Sequence, residues 1–324
     1  MIERWENQKC LKTLFTKQYL WFGGFVYGKY LDGYRFIMDI SVCIVNLNSI
    51  KQLEKCLNTL KSGIWPLSYE VIIVDNFSKD GSQNFIRTNF SNVRLITNRR
   101  NHGYTSEINK AMKIGVGRYK LILNPDSRLK PESIVTLASF LKKNDGVGIV
   151  GPLVLNEDGS FQWSCRRGVA RPFAVFSYFL GIANLFPDNQ IFTGYHLNHL
   201  NINDINEVSG VSGSCMLIDQ NLIDEIGYFD EKYFAYQEDS DYCLRAINKG
   251  WKVYYNPKAV VTHKGGHGGS NSVPYRSTFE WHRSYMIYYF KHFSKDYGII
   301  FNIIYSIVMI GKLIFSEIFL LVRR

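Results

Sequence analysis

The run Glu70-Val-Ile-Ile-Val-Asp-Asn-Phe-Ser-Lys-Asp-Gly81 decides the fold. Glu70 to Val74 is nearly all apolar, the character of a strand buried on both faces, and it stops at a polar, glycine-ended turn. Upstream, Asp39 to Val45 is a second β-branched run ending in Asn46-Leu-Asn48, and Leu53, Cys56, Leu57 and Leu60 then recur at helical spacing. Downstream, Val93 to Thr97 reads as a strand before Asn98 to Gly103, with a helix through Glu107 to Ile114. Tyr119 to Leu123 is a further strand, ending at Asn124-Pro-Asp126. Strands alternating with helices predict an α/β chain with a mostly parallel, Rossmann-like sheet and helices on both faces. In such sheets ligands bind outside the carboxyl ends of the strands, which directs attention to Asn46, Asp75, Asn98 and Asp126.

Beyond Pro131 the pattern predicts a helix to Lys143 and a strand from Gly148 to Leu155. A long irregular stretch follows from Asn156 to Asn206, holding Trp163, Arg166, Arg167 and Arg171. It reads equally as an acceptor-side insertion or as a plain surface excursion. Glycine-rich backbone with Gly210, Gly213 and Ser214 leads into a strand, a helix spans Asp219 to Gly227, and Lys252 to Tyr255 is a later strand. Between them, Tyr236-Gln-Glu-Asp-Ser-Asp-Tyr-Cys-Leu-Arg245 crowds Glu238, Asp239 and Asp241 at one helix start. Acids there are ordinary caps that complement the helix dipole, or they are held together for a substrate.

With 324 residues, 46% of them hydrophobic and 20% charged, the chain has the means to bury a full core, which excludes a disordered protein. A formal charge of +10 suits a polyanionic partner: nucleic acid, an anionic membrane face or a phosphorylated substrate. No run of five like charges and no zinc-finger, RRM-like or KH-like pattern occurs, which sets nucleic acid aside. Six cysteines without a C-x-x-C pair read as reduced, buried thiols in a cytosolic setting. Met1 to Lys17 is polar, and the patch Tyr19 to Tyr27 is short and glycine-broken, so no signal peptide is expected. Residues 1–38 form an N-terminal extension, 39–270 the main domain and 271–324 a helical tail. In that tail Ile299 to Val322 is apolar apart from Asn302, Lys312 and Glu317. Lys312 and Glu317 interrupt the roughly 20 apolar residues a spanning helix needs, so an interfacial or protein-packed helix is expected over a true span or a core helix. Tyr285, Tyr288, Tyr289, Lys291, His292 and Lys295 suit a headgroup layer.

Seven segments together carry a resemblance: Val-Cys-Ile-Val-Asn-Leu-Asn-Ser (42–49), Val-Ile-Ile-Val-Asp-Asn-Phe-Ser-Lys-Asp-Gly-Ser (71–82), Asn-Arg-Arg-Asn-His-Gly-Tyr (98–104), Leu-Asn-Pro-Asp-Ser (123–127), Gly-Ser-Cys-Met-Leu-Ile (213–218), Gly-Tyr-Phe-Asp-Glu-Lys-Tyr-Phe (227–234) and Glu-Asp-Ser-Asp (238–241). Their order resembles that of family 2 glycosyltransferases of the GT-A fold, above all the bacterial O-antigen and cell-wall rhamnosyltransferases. The resemblance implies that Asp75 hydrogen-bonds the imide N–H of uracil or thymine, with Val45 and Leu47 flanking the base. Leu47 stands where relatives often carry tyrosine. The alternative for Asp75 is an Asx turn capping its strand. Asn101, Gly103, Asn109 and Asn124 are expected along the nucleotide sugar, and Gly213, Ser214 and Cys215 under the transferred sugar and acceptor.

Asp126 is expected to hold Mg²⁺ or Mn²⁺ on the donor diphosphate. Relatives carry two or more acids there, whereas Asn124-Pro125-Asp126 supplies one, and Mg²⁺ accepts one or two carboxylates beside phosphates and water. His263 resembles a second ligand or a phosphate contact, or is a surface-loop histidine. Lys264 and the glycines up to Gly269 suit a phosphate. Asp239 is implied as general base, Glu238 as its neighbour gripping hydroxyls, and Asp241 with Arg245 as an i, i+4 pair on the helix surface.

The resemblance implies an inverting transferase moving a sugar, rhamnose from dTDP-rhamnose, onto a lipid-linked oligosaccharide or polysaccharide precursor. The expected place is the cytoplasmic face of a bacterial plasma membrane, with peripheral membrane contact. A UDP-hexose or UDP-N-acetylhexosamine donor is the rival within the class, and a non-catalytic nucleotide-sugar-binding scaffold the rival outside it.

Overall fold

The computed structural model describes residues 38–186, 189–265 and 273–322, together with a two-stranded hairpin of β1 (Leu20–Phe22) and β2 (Phe25–Tyr27). The rest of the N-terminal extension, residues 266–270 of the glycine run and the two terminal arginines lie outside the described residues. The predicted alternation follows as β3 (Met38–Asn46), α1 (Ile50–Ile64), β4 (Tyr69–Asp75), α2 (Ser82–Asn89), β5 (Val93–Thr97), α3 (Tyr104–Ile114) and β6 (Gly117–Leu123). After it come β7 (Ser127–Leu129), α4 (Ser133–Lys143) and β8 (Val147–Leu155).

The stretch read as irregular carries β9 (Arg166–Arg167) and three short helices, α5 (Pro172–Phe179), α6 (Ile182–Leu185) and α7 (Gln190–Thr193). Next are β10 (Asn206–Glu207), β11 (Gly210–Val211), β12 (Cys215–Asp219), α8 (Gln220–Ile226), α9 (Glu238–Asn248) and β13 (Lys252–His263). The two strand-like runs around Lys252 and Ala259 are thus one strand, with a register irregularity between Asn256 and Val260. The tail is α10 (Pro274–His292) and α11 (Ile299–Val322).

Nine strands form the main sheet, in the order β10-β13-β8-β12-β6-β3-β4-β5 with β7 beside β13. The half β6-β3-β4-β5 is parallel, as its crossover helices require. β12 runs antiparallel between β6 and β8, so the sheet is mixed. Alternation along β3 divides the core. Val42 and Ile44 face Leu53, Leu57, Leu60, Ile134 and Leu137 of α1 and α4. Cys43 and Val45 face Ile108, Met112, Leu222, Tyr242 and Ala246 of α3, α8 and α9.

Two pairings place the site. β12 opposes β6 with Cys215 against Leu123, so Ser214 meets Asn124, whose backbone N–H donates to the Ser214 carbonyl at 3.0 Å. β7 opposes the end of β13 with Ser127 against His263, which brings Asp126 beside that histidine. Cys43, Cys56, Cys165, Cys215 and Cys243 are free and buried, and burial pushes the Cys43 thiol up to about 12, the chemistry of an inert core group.

α11 corrects the expectation that Lys312 and Glu317 deny it the length of a span. Its 24 residues pass by length and composition, and only Tyr305 and Met309 are buried. Lys312 is turned back so that its ammonium lies 4.0 Å over the Trp281 ring.

Candidate active site

A cavity of about 590 Å³ opens at the strand ends. Val45, Leu47, Asn101, Asn124, Asp126, Gly213, Ser214, Glu238, Asp239 and His263 line it, so most of the residues singled out in the sequence meet in one place. Five do not line it. Asp75 is fully buried behind it, its Oδ1 accepting from the Ser78 N–H at 3.0 Å and Gln83 Nε2 at 2.7 Å, and its Oδ2 from Asn46 Nδ2 at 2.8 Å. Its bond to the Ser78 N–H caps the strand end three residues on, one further than the Asx turn named as its alternative, and Asn76, its neighbour, reaches the cavity. Asn109 is turned to the 227–234 segment, donating to the Phe229 carbonyl at 2.9 Å and accepting from the Phe229 N–H at 3.1 Å. Gly103, at φ +94°, serves packing: a Cβ there would sit 2.6 Å from the Phe234 carbonyl oxygen. Cys215 points into the core. Lys264 holds its ammonium 3.5 Å from Glu157, so its charge is engaged away from a phosphate.

Asp126 and His263 form one cluster. Asp126 Oδ1 lies 3.1 Å from His263 Nε2, and its Oδ2 accepts from the Gly265 N–H at 3.1 Å. Asn156 and Gln162, which the sequence reading did not single out, set the imidazole. Gln162 donates from Nε2 to Asn156 Oδ1 at 2.9 Å, which turns its own Oε1 to His263 Nδ1 at 2.9 Å. The proton therefore belongs on Nδ1, and Asn124 Nδ2 reaches Nε2 at 3.3 Å. Where the imidazole is neutral, Oδ1 and the Nε2 lone pair stand 3.1 Å apart, an arrangement a cation would satisfy; where it is protonated, Nε2 donates to Oδ1 instead. Among the described residues no group of three or more His, Cys, Asp or Glu side chains converges, so a divalent cation would draw its other ligands from substrate and water.

The acid cluster departs from a simple cap. The N-cap is Gln237, with no side-chain cap bond, and Tyr236 and Gln237 both hold left-handed backbone, at φ 68° and 61°. Such conformations in non-glycine residues cost about 1–3 kcal/mol each and cluster at functional sites. This turn sends the three acids to different fates. Asp239 Oδ2 accepts from Arg167 Nη2 at 2.6 Å and from the Gly213 N–H at 3.0 Å, while Oδ1 takes only its own helix's Ser240, from its N–H at 2.7 Å and its hydroxyl at 3.4 Å. Arg167 is aimed by the ladder of β9 on β11, and alternation sends Arg166 the other way, to carbonyls of Leu200 and Asn201. Burial opposes the Arg167 charge, but Asp239 beside it holds the guanidinium more firmly protonated than free arginine.

Glu238 stays unpaired at Oε2, and burial, reinforced by the Asp239 charge, pushes it up to about 8. Asp241 corrects the surface-pair expectation. It is fully buried, with Arg245 Nε at 2.9 Å, Lys291 Nζ at 2.6 Å and His292 Nε2 at 2.7 Å. Burial alone would raise it, yet the bonds from His292 and Lys291 and the charges of Lys291 and Arg245 bring it down to about 2.

Tyr104 Oη, Ser214 Oγ, Gln237 Oε1, Glu238 Oε2 and Arg167 Nε are buried without a hydrogen-bond partner among the described residues, and all five residues line the cavity. Unpaired buried polar atoms are rare in folded proteins, and a cluster around one cavity is what a polyhydroxylated ligand would complete.

A strand-end cavity with a carboxylate–imidazole pair and a clamped carboxylate, on a mixed sheet covered by helices, has the form of an α/β enzyme. Residues 41–227 match glycosyl transferase family 2, and the chain belongs to that family. It is 30% identical over 208 residues to N-acetylglucosaminyl-diphospho-decaprenol L-rhamnosyltransferase of Mycobacterium tuberculosis, covering 61% of this chain and 67% of that enzyme. Identity to the dTDP-rhamnosyl transferase RfbF of Shigella flexneri is 26% over 225 residues, covering 64% and 61%. The mannosyltransferase PcManGT of Pyrobaculum calidifontis, solved with GDP-Man and Mn²⁺, shares the fold with a TM-score of 0.51 at 16% identity, over 81% of this chain and 67% of that one. The matches thus span 61 to 67% of those proteins' own lengths.

Proposed function

We propose that this family 2 glycosyltransferase inverts the anomeric centre as it moves rhamnose from dTDP-rhamnose to a lipid-linked oligosaccharide or polysaccharide precursor. The cluster of five unpaired polar atoms around the cavity carries this reading, because it lies against Asp239 and offers hydrogen bonds to sugar hydroxyls. The rhamnosyl donor and the diphospholipid acceptor are supported by the names of the mycobacterial and Shigella relatives. Asp239 takes the acceptor hydroxyl proton while that oxygen bonds to the anomeric carbon and the carbon–oxygen bond to the nucleoside diphosphate breaks on the opposite side. Arg167 and the Gly213 amide hold Oδ2 and the Ser240 N–H holds Oδ1, so the carboxylate is fixed in direction for that proton transfer. Glu238, protonated near neutral pH, grips a sugar hydroxyl as donor.

Asp126 and His263 would hold Mg²⁺ or Mn²⁺, which when bound offsets charge on the departing diphosphate. Val45 and Leu47 would contact the base, with Asn76, Asn101 and Asn124 beside the nucleotide. The tail from about residue 271 carries the membrane contact through the exposed apolar faces of α11, at the cytoplasmic face.

Thermal stabilisation by dTDP, UDP and GDP, each with and without Mg²⁺ or Mn²⁺, tests the reading together with donor consumption across a sugar-nucleotide panel. A ligand at 100 times its Kd adds about 2.7 kcal/mol of stability. Stabilisation by dTDP that grows with metal, and consumption of dTDP-rhamnose, are expected. Preference for a UDP-hexose would change the donor, and stabilisation by GDP equal to that by dTDP would remove the pyrimidine reading.

A further inference from the structure

α11 runs antiparallel to α10 along nearly its whole length. Tyr305 stacks on Tyr289 at 3.9 Å, Lys312 sets its ammonium 4.0 Å over the Trp281 ring, and Phe319 and Leu320 stand across a groove from Ser277 and Thr278. This packing sorts the side chains of α11. Asn302, Ser306, Lys312, Ser316 and Glu317 are all half-buried, while every exposed position from Ile299 to Val322 is apolar or glycine. The exposed apolar surface continues past the helix. Phe176 of α5 meets the Tyr305 ring at 5.8 Å, and Phe173 and Leu180, three residues before it and four after, share its side of α5. Phe192 then joins Phe173 to Phe186, with ring centroids 5.8 and 5.3 Å away. Leu180 and Leu185 are 72% and 75% exposed.

We propose that α11 lies in the plane of the membrane surface and that the insert of α5 and α6 enters the same leaflet beside it, two apolar feet under one catalytic domain. This rests on the membrane contact proposed above and adds its orientation and its second element. Length does not decide between crossing and lying flat, since 24 residues make about 36 Å of helix against about 30 Å of hydrocarbon. The packing of α10 does. That helix accompanies α11 side by side, carries Arg276, Glu280, Arg283 and Lys291, and lines the catalytic cavity with Glu280 and Tyr285. A crossing α11 would carry these charges into hydrocarbon with it, where ionised groups are strongly disfavoured. A flat α11 keeps α10 between membrane and cavity, which puts the cavity about 10 Å from the apolar layer. Where the insert meets the turn between α10 and α11, Arg171 lies 3.3 Å from Asp296 and Lys295 is exposed, cations at the level of anionic headgroups. A second copy of the chain fits this surface less well. Protein interfaces carry about one hydrogen bond per 100–200 Å², and the exposed side of α11 has no polar side chain to make one.

The test uses the full chain on vesicles of phosphatidylethanolamine and phosphatidylglycerol, with no sugar or nucleotide present. A fluorophore is attached to a cysteine introduced at Leu185, Ile303, Ile310 or Leu321, or at Lys55 on the far side of the sheet, in a Cys10→Ser background because the other five thiols are buried. The first four labels should all be quenched by a nitroxide high on the lipid chains and by none at the chain ends, and the label at Lys55 by neither. Chain-end quenching at Ile310 with shallow quenching at Ile303 and Leu321 is a span and overturns the orientation. A silent label at Leu185 beside responsive ones on α11 overturns the part of the insert. Leu180→Gln combined with Leu185→Gln should weaken vesicle partition about tenfold at an unchanged Tm. Parental partition of that variant, or a change in its self-association without a change in partition, also overturns the proposal, the latter making the patch a face between copies. In each of these cases the parent still binds vesicles and the membrane reading above stands. A parent that binds no vesicles removes both.

Discussion

Asp126 and Asp239 open on the same cavity with different company. Asp126 meets the His263 imidazole and a backbone amide, with no arginine or lysine on its oxygens among the described residues. Asp239 has a buried arginine at 2.6 Å. On the reading proposed above, one carboxylate takes its counter-charge from a cation in solution, and the other carries it in the chain. An internal cation fixes direction permanently. An external one makes the site conditional on what arrives with the substrate.

Replacing Asp239 by Asn should cut the rate of sugar transfer by about 10²–10⁴-fold while dTDP binding holds. Rates within a few-fold of the parent would remove it as base. Arg167→Met strands a buried charge and should lower the unfolding free energy in urea by about 3–5 kcal/mol. Asp126→Asn strands no arginine or lysine, so in metal-free buffer it should cost less than Arg167→Met, about 1 kcal/mol for the Gly265 and His263 contacts, and abolish any metal-dependent rise in Tm. Equal costs at the two sites would break the comparison.

Asp241 supplies a third, pH-dependent probe. Its folded value of about 2 lies below its ordinary 3.8, so its contribution is complete above about pH 4 and is lost as pH falls through 2. That contribution is about 2 kcal/mol, read from acid unfolding of the parent against Asp241→Asn. The smallest effect concerns Glu238. Because the folded protein keeps its proton up to about pH 8, transfer should fall as pH rises through that value. Glu238→Gln keeps a donor that cannot ionise and should flatten this alkaline limb, and an unchanged limb would assign it to another group.

What could be read from the sequence follows the same division. Asn46 and Asp75 close apolar runs and Asp126 follows one by three positions, so the side of the site built from the parallel strands was visible in local pattern. Even there Asp75 lies behind the cavity lining, because nothing local says that Gln83 and Asn46 will take its oxygens. The other side is assembled across distance. Arg167 reaches Asp239 from 72 positions away through a ladder of two-residue strands, too short for any periodicity. Gln162 finds His263 across 101 positions. β12 runs against its neighbours, so Gly213 and Ser214 reach the cavity from before a strand, where a search behind strand ends does not look. The Asp241–Arg245 spacing was legible, but its burial came from α10, whose Lys291 and His292 had been read only as headgroup contacts.

That last contact dictates where the chain tolerates a cut. A version trimmed before α10 to shed the apolar tail would retain Asp241 inside the protein with Arg245 and the Tyr233 hydroxyl, having lost Lys291 and His292. It would also open the wall where Ser284 donates to the Ala235 carbonyl at 2.7 Å, next to the turn that aims Asp239. Tyr289 in turn rests on Tyr305, stacked at 3.9 Å, and Met309 belongs to the same cluster. A soluble form therefore has to end beyond Met309, with the outer part of α11 as the removable portion.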